Sequence, residues 1–332
     1  MAATIKDIAN RTGLGLATIS SYLNGGNVRE KNRIKIEEAI NELHFEVNEV
    51  ARGLKTNKTK TVGVVIPELQ NLFHTEIIAN MEDILRNHGY ATIVCDCRND
   101  KQLEKNAVDF LYKKRVDGII NIPVSSDGQH LMQFMEKEKP VVLIDRKISA
   151  IHCDSILVNN VKAAKDAVDI LLLNGHTRIG MIGGPEDIFT AQERMLGYNY
   201  SLLEAGITPD RNLIVHGDYT IKSGVKCIKA LIKNNPDITA VFVANYEMTM
   251  GAVIGLNELG VAIADQISLI GYDNIEFARA IKPSLTIVTQ PTVKIAEQAA
   301  NCMLRRLDGN EDEFEVIKLD SAIIEGHSVR RI

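Results

Sequence analysis

Polar and aromatic residues recur where short apolar runs end. Asn71, Phe73 and His74 follow one such run. Asp145 and Arg146, Thr190 and Arg194, Tyr219, Asn245 and Tyr246, Asp273 and Asn274, and Gln290 come after others. Planar Asp, Asn and Arg side chains form paired hydrogen bonds to vicinal hydroxyls, and an aromatic face covers the apolar side of a sugar ring. The set suits a small polyol or sugar. Residues at strand ends are also polar simply because loops are solvated, so the pattern alone leaves both a binding site and an ordinary surface open. His74 in particular reads equally well as a pocket donor or as a solvated side chain.

The elements that must position these residues alternate in type. Val62 to Ile66 precedes a helical stretch from Glu76 to Asn87, Ala91 to Val94 precedes Lys101 to Lys114, and Gly118 to Ile122 and Val141 to Ile144 follow. After a break the pattern restarts: Ile179 to Ile182 with a helix from about 190 to 205, Leu213 to His216 with Ser223 to Lys233, Ala240 to Val243 with Met248 to Leu259, then Ser268 to Ile270. Strand and helix alternating in two blocks imply two doubly wound α/β lobes with largely parallel sheets. In such sheets ligands bind beyond the carboxyl ends of the strands, which is where the polar residues fall.

Other chemistries lack their signatures. No GxSxG, Walker A or HExxH motif occurs, and Ile182-Gly-Gly-Pro185 lacks the third glycine and later acid of a dinucleotide site. The sequence calls for no cofactor, and no enzyme is expected. Five cysteines, an odd and scattered set, argue against a disulfide framework. Cys95 and Cys97 read as strand residues on one face without a partner CxxC or His cluster, so no metal site is expected.

The chain's 332 residues, 45% hydrophobic and 24% charged, fit a globular protein of a little over two domains at about 150 residues each. No run approaches the roughly 18 apolar residues of a membrane helix, and Lys6 and Asp7 stand where a signal peptide would be apolar, so a cytoplasmic protein is expected. Residues 1–60 hold ten Lys or Arg against seven Asp or Glu, a net +3, while the remaining 272 carry −8. A basic end on an acidic body fits nucleic-acid contact by the first segment alone.

That segment reads as three short helices. Thr4-Ile-Lys-Asp7 has the form of a capping box ahead of Ile5, Ile8 and Ala9. A turn at Thr12-Gly13-Leu14 leads to a helix over Leu16 to Leu23, with Ile19 and Leu23 inward and Ala17, Thr18, Ser20 and Ser21 outward. A third, about Glu30 to Leu43, is amphipathic through Ile34, Ile36, Ala39, Ile40 and Leu43. Two helices around a glycine turn suggest helix-turn-helix.

Thr4-Ile-Lys-Asp-Ile-Ala9, Ala17-Thr-Ile-Ser20 with Leu23-Asn24, Val50-Ala-Arg-Gly-Leu-Lys-Thr56 and Thr61-Val-Gly-Val-Val-Ile-Pro67, in that order, resemble the LacI/GalR family of bacterial transcription regulators. The resemblance runs through essentially the whole chain. It implies that the helix from Leu16 enters the major groove, with Leu16, Ala17 and Ser21 at base-reading positions and Thr18, Ser20, Tyr22 and Asn24 at phosphate-contacting ones; Thr4 is also placed on DNA. Ser21 stands where many relatives have Arg, so the family's usual operator is not implied. Gly15 replaces a common Ser cap. The hinge carries Ala51, Leu54 and Lys55, with Leu54 matching the residue that wedges into the minor groove. Val47 replaces a usual Pro, and Glu49 is an acid close to DNA.

The resemblance also implies an N-terminal all-α helix-turn-helix domain over 1–46, a hinge helix and linker over 47–60, and a two-lobed α/β core like periplasmic binding proteins over 61–332. Lobe one spans about 61–160 and 292–321, lobe two about 161–291 and 322–332. Gly271-Tyr-Asp-Asn274, Val243-Ala-Asn245, Arg194-x-x-Gly197 and Gln290-Pro291 match family motifs. The effector role thereby implied falls on Asp273, Asn245 and Arg194, and Phe73 matches a stacking aromatic. With them His74, Arg146, Thr190 and Tyr219 complete the candidate site. Tyr246 replaces a common Asp. The function implied is a homodimeric repressor that binds a near-palindromic double-stranded operator under control of a carbohydrate-like effector, without membrane association. The alternatives are a catabolite-control-type regulator governed by a partner protein and, against the helix-turn-helix head, a solute-binding protein.

Overall fold

The computed structural model describes residues 3–46, 53 and 58–332. The chain forms two compact units, 1–60 and 61–332. Ala51, Leu54 and Lys55, with most of the hinge expected over 47–60, lie outside the described residues.

In the first unit α1 (Ile5–Thr12), α2 (Leu16–Leu23) and α3 (Glu30–Leu43) enclose Ile8, Ile19, Ile36 and Ala39. The Asp7 carboxylate accepts from the Thr4 amide at 2.8 Å and the Thr4 hydroxyl at 2.7 Å, tying off the start of α1. Gly13, at φ 69°, turns the chain out of α1 in a left-handed conformation that a Cβ would oppose. Ile34 departs from expectation, being 47% exposed. It stands two residues from Ile36, about 200° around the helix, so the two cannot share one buried face.

The second unit is built on two six-stranded sheets. The first contains β1 (Thr61–Ile66), β2 (Ala91–Asp96), β3 (Gly118–Asn121), β4 (Val141–Ile144), β5 (Asp154–Val158) and β11 (Val316–Leu319), in the order β11-β5-β4-β3-β1-β2, all parallel. The second contains β6 (Ile179–Gly183), β7 (Ile214–His216), β8 (Ala240–Val243), β9 (Ser268–Tyr272), β10 (Thr286–Thr289) and β12 (Ala322–Ile324), in the order β12-β10-β9-β8-β6-β7, with only β12 antiparallel. Helices α4 (Leu72–Asn87), α5 (Lys101–Lys113), α6 (Met132–Met135) and α12 (Thr292–Leu307) pack on the first sheet, and α7 (Asn160–Leu173), α8 (Phe189–Glu204), α9 (Ile221–Asn234), α10 (Tyr246–Leu259) and α11 (Ile275–Ala280) on the second. Covered on both faces, the central strands are continuous apolar runs, as a buried parallel sheet requires. The chain crosses between lobes after β5, after β10 and after β11.

The break expected between the two blocks holds β5 and α7. Asp154 and Ser155 make β5 look like loop in sequence, yet both are buried, and Arg306 grips the Asp154 carboxylate through Nε at 2.7 Å and Nη2 at 3.1 Å. Helices expected from Glu76 and Met248 start earlier, at Leu72 and Tyr246, because Asn71 and Asn245 cap them. Close packing of α9 on α10 depends on glycine: a Cβ at Gly251 would lie 2.2 Å from the Ile221 carbonyl oxygen.

Candidate functional site

On the first unit, α2 presents the residues expected on DNA. Leu16 is 46% exposed, Ala17 and Asn24 are exposed, and Thr18, Ser20, Ser21 and Tyr22 are half-buried. Asn24 folds back at the end of α2, its Nδ2 donating to the Ser20 carbonyl at 2.7 Å. The Tyr22 hydroxyl donates to Glu37 Oε1 at 2.9 Å, which anchors the ring to α3.

In the second unit all eight residues singled out from the sequence, Phe73, His74, Arg146, Thr190, Arg194, Tyr219, Asn245 and Asp273, line one cavity between the lobes. Glu68, Asn71, Asn99, Asp145, Tyr246, Glu247 and Gln290 complete its wall. Parallel strands converge there because their carboxyl ends face each other across the three crossings. The cavity's free space is about 60 Å³. It adjoins a hollow of about 710 Å³ through the shared residues Phe73, Tyr246, Asp273 and Gln290.

Arg194 is the best-anchored group. Its guanidinium donates to Asn160 Oδ1 at 2.8 Å, the Ala244 carbonyl at 2.5 Å and Gln290 Oε1 at 3.4 Å, and lies 4.0 Å above the Tyr272 ring. Gln290 also holds Asp273, its Nε2 donating to Oδ2 at 2.7 Å and its amide to Oδ1 at 3.1 Å. Burial pushes the Asp273 carboxyl up to about 6, although the Arg194 charge opposes this.

The lobes meet at a carboxylate. Asn71 caps α4 with its side-chain oxygen, accepting from the Phe73 amide at 2.9 Å, and its Nδ2 donates across the cleft to Glu247 Oε1 at 2.7 Å. Asn245 caps α10 by accepting from the Met248 amide at 3.0 Å and donates to Glu247 Oε2 at 2.6 Å. Burial, reinforced by the charges of Glu68 and Asp273, pushes Glu247 up to about 7. His74 is neither solvated nor ionised: it is 6% exposed, its Nδ1 lies 3.1 Å from the Glu68 carbonyl, and burial lowers it to about 4. Because a carbonyl only accepts, the proton is assigned to Nδ1, leaving Nε2 as an acceptor.

Three wall residues hold left-handed backbone conformations: Asp145 at φ 66°, Tyr219 at 65° and Asp273 at 51°. Each such non-glycine position costs about 1–2 kcal/mol, and strain of this kind gathers where a fold must aim side chains. The Asp145 Oδ1 and Tyr219 hydroxyl oxygen have no hydrogen-bond partner among the described residues. Glu68, Asn99 and Glu247 escaped sequence reasoning. The departure at Tyr246 marked the right place, but the carboxylate that occupies the cleft belongs to the next residue.

Two family descriptions match the chain: "Bacterial regulatory proteins, lacI family" over residues 4–48, and "Periplasmic binding proteins and sugar binding domain of LacI family" over residues 59–324. The chain is 32% identical to an HTH-type transcriptional repressor PurR of Vibrio atlanticus (strain LGP32), covering 99% of each, and 31% identical to catabolite control protein A of Priestia megaterium, covering 97% of this chain and 98% of that one. In fold it is similar to the lac repressor dimer bound to operator and the anti-inducer ONPF, with a TM-score of 0.87 at 24% identity over 99% of this chain and 100% of that one.

Proposed function

The chain belongs to the LacI family of bacterial transcription regulators, and from that premise we propose that it is a homodimeric repressor whose hold on a near-palindromic operator is set by a small sugar-like effector between its lobes. The observation that carries this reading is the cavity in which eight motif and strand-end residues converge from two lobes. Residues 1–46 then form the DNA-reading head, with α2 in the major groove. The hinge of 47–60 bears Leu54 as the minor-groove wedge, and 61–332 senses effector. Such a protein works in the cytoplasm and has no catalytic step.

Phe73, His74, Arg146, Thr190, Arg194, Tyr219, Asn245 and Asp273 hold the effector in this reading. The Asn71 to Glu247 bond, made by one residue from each lobe, is the contact that an effector would replace or reinforce. A ligand that prefers one lobe angle shifts the population of that angle, and with it the hinge geometry offered to DNA. Linkage makes the coupling reciprocal: an effector that weakens operator binding n-fold must itself bind n-fold more weakly to the operator complex. Isothermal titration of effector into free protein and into the operator complex is expected to give different affinities, and equal ones would remove the allosteric mechanism. The 31% identity to a catabolite control protein favours, as a second reading, control of the same core by a partner protein. A stoichiometric partner retained from lysate, with no small molecule altering operator affinity, would establish it instead.

A further inference from the structure

Resting on the effector reading above, we propose that the effector carries a protonated amine, seated against Glu247. Six charged side chains face the cavity: Glu68, Asp145, Glu247 and Asp273 against Arg146 and Arg194. His74 adds no charge near neutral pH. Once all four carboxyls are ionised, above about pH 7, the wall carries two more negative than positive groups.

The arrangement of these charges matters more than their sum. The Arg194 guanidinium is already engaged through all three of its nitrogens. Arg194 directs its donors to Asn160, the Ala244 carbonyl and Gln290, while Arg146 donates to the Pro123 carbonyl at 3.0 Å and has its Nε 3.6 Å from Asp145 Oδ2. The Nε of Arg146 has no hydrogen-bond partner among the described residues, whereas Arg194 offers no open two-pronged fork of the kind that recognises phosphate. Glu247 is in the opposite condition. Its oxygens accept only from neutral amides of Asn71 and Asn245, no cation among the described residues forms an ion pair with it, and its charged neighbours Glu68 and Asp273 are also acids.

A second feature points to a ligand independently. Asp145 is 5% exposed and lines the same cavity, its Oδ1 without a hydrogen-bond partner among the described residues, on backbone held at a left-handed φ. Arg146 faces the Asp145 Oδ2 at 3.6 Å, but a buried oxygen left without a hydrogen bond is costly, so Oδ1 calls for a donor. A ligand ammonium supplies the positive charge that Glu247 lacks, and a second donor on the same ligand answers the Asp145 Oδ1. Seated at Glu247, it also bears directly on the bond from Asn71 that joins the lobes, so recognition and lobe angle share one residue.

The test uses the full chain and matched probes at pH 7.5: glucose, galactose and mannose, each as the free sugar, the 2-amino sugar and the 6-phosphate, with spermidine and lysine as amines on unrelated scaffolds. Calorimetry is expected to show at least one amine binding about tenfold or more tightly than its neutral counterpart or, for spermidine and lysine, than any neutral sugar. Glu247→Gln should abolish that preference, and Glu247→Asp, which keeps the charge, should restore most of it. Thermal melts of both variants establish that they fold. The proposal is overturned if no amine binds, if a neutral or phosphorylated sugar binds as tightly as its amine, or if folded Glu247→Gln keeps the preference. A neutral or phosphorylated sugar that binds and alters operator affinity would overturn the amine alone and leave the effector reading standing. Compounds that bind without altering operator affinity would count against the effector reading itself.

Discussion

Glu247 is where the electrostatics of the cleft become measurable. Its carboxyl, at about 7 in the folded chain against an ordinary 4.5, holds its proton more tightly folded than unfolded. A raised carboxylate of this kind contributes stability below pH 4.5 and loses it as pH rises to about 7. Asp273, at about 6, acts in the same sense over a lower window. Glu247→Gln fixes the neutral form at every pH. The stability of the variant relative to the parent chain is therefore expected to rise between pH 5 and pH 8, by about 1–2 kcal/mol once the half-buried setting is allowed for. Melting temperatures of the two ligand-free proteins, read in parallel across that range, check this. A flat or falling difference would mean that water reaches the carboxylate freely.

At the scale of elements, the first sheet is closed by a pair of distant segments. Asp154, at the start of β5, is fully buried and gripped by Arg306 of α12, while the Glu315 amide donates to its Oδ1 at 2.9 Å. Asp154→Ala leaves a guanidinium with 11% side-chain exposure without its carboxylate, held only by the carbonyls of Asn310, Asp312 and Glu313, at a cost of up to about 3 kcal/mol. The neighbouring Arg305 to Glu315 pair, exposed on both sides, is worth at most about 1 kcal/mol. Urea midpoints of Asp154→Ala and Glu315→Gln should differ accordingly, and similar midpoints would deny the buried pair its structural role. The same residue explains a limit of sequence reading. Strands such as β4 and β8 announce themselves as unbroken apolar runs, whereas Asp154 and Ser155 disguise β5 because their burial depends on α12, far along the chain. In the cleft, residues just past strand ends were legible because the α/β architecture dictates where ligands sit. Glu247 was not, since a carboxylate in the first turn of a helix ordinarily reads as a favourable charge near the helix amino end, and only the approach of Asn71 from the other lobe gives it a different meaning.

Across the whole molecule, charge is divided between the two units, with residues 1–60 at net +3 and the rest at net −8. The two binding events should therefore respond differently to salt. In the proposed dimer, operator binding by two heads would neutralise phosphates and release counterions, so six to ten contacts imply a loss of about 10³ to 10⁵ in affinity between 50 and 200 mM salt. An effector held in the cleft interacts with groups screened much less than exposed ones, and its affinity is expected to change by less than about threefold over the same range. Operator titrations by fluorescence anisotropy and effector titrations by calorimetry, run at matched salt concentrations, separate the two. If effector affinity fell as steeply as operator affinity, the small molecule would be binding to an exposed charged surface rather than between the lobes. If operator affinity were insensitive to salt, residues 1–60, with their net charge of +3, would not be neutralising the phosphates that this reading of α2 requires.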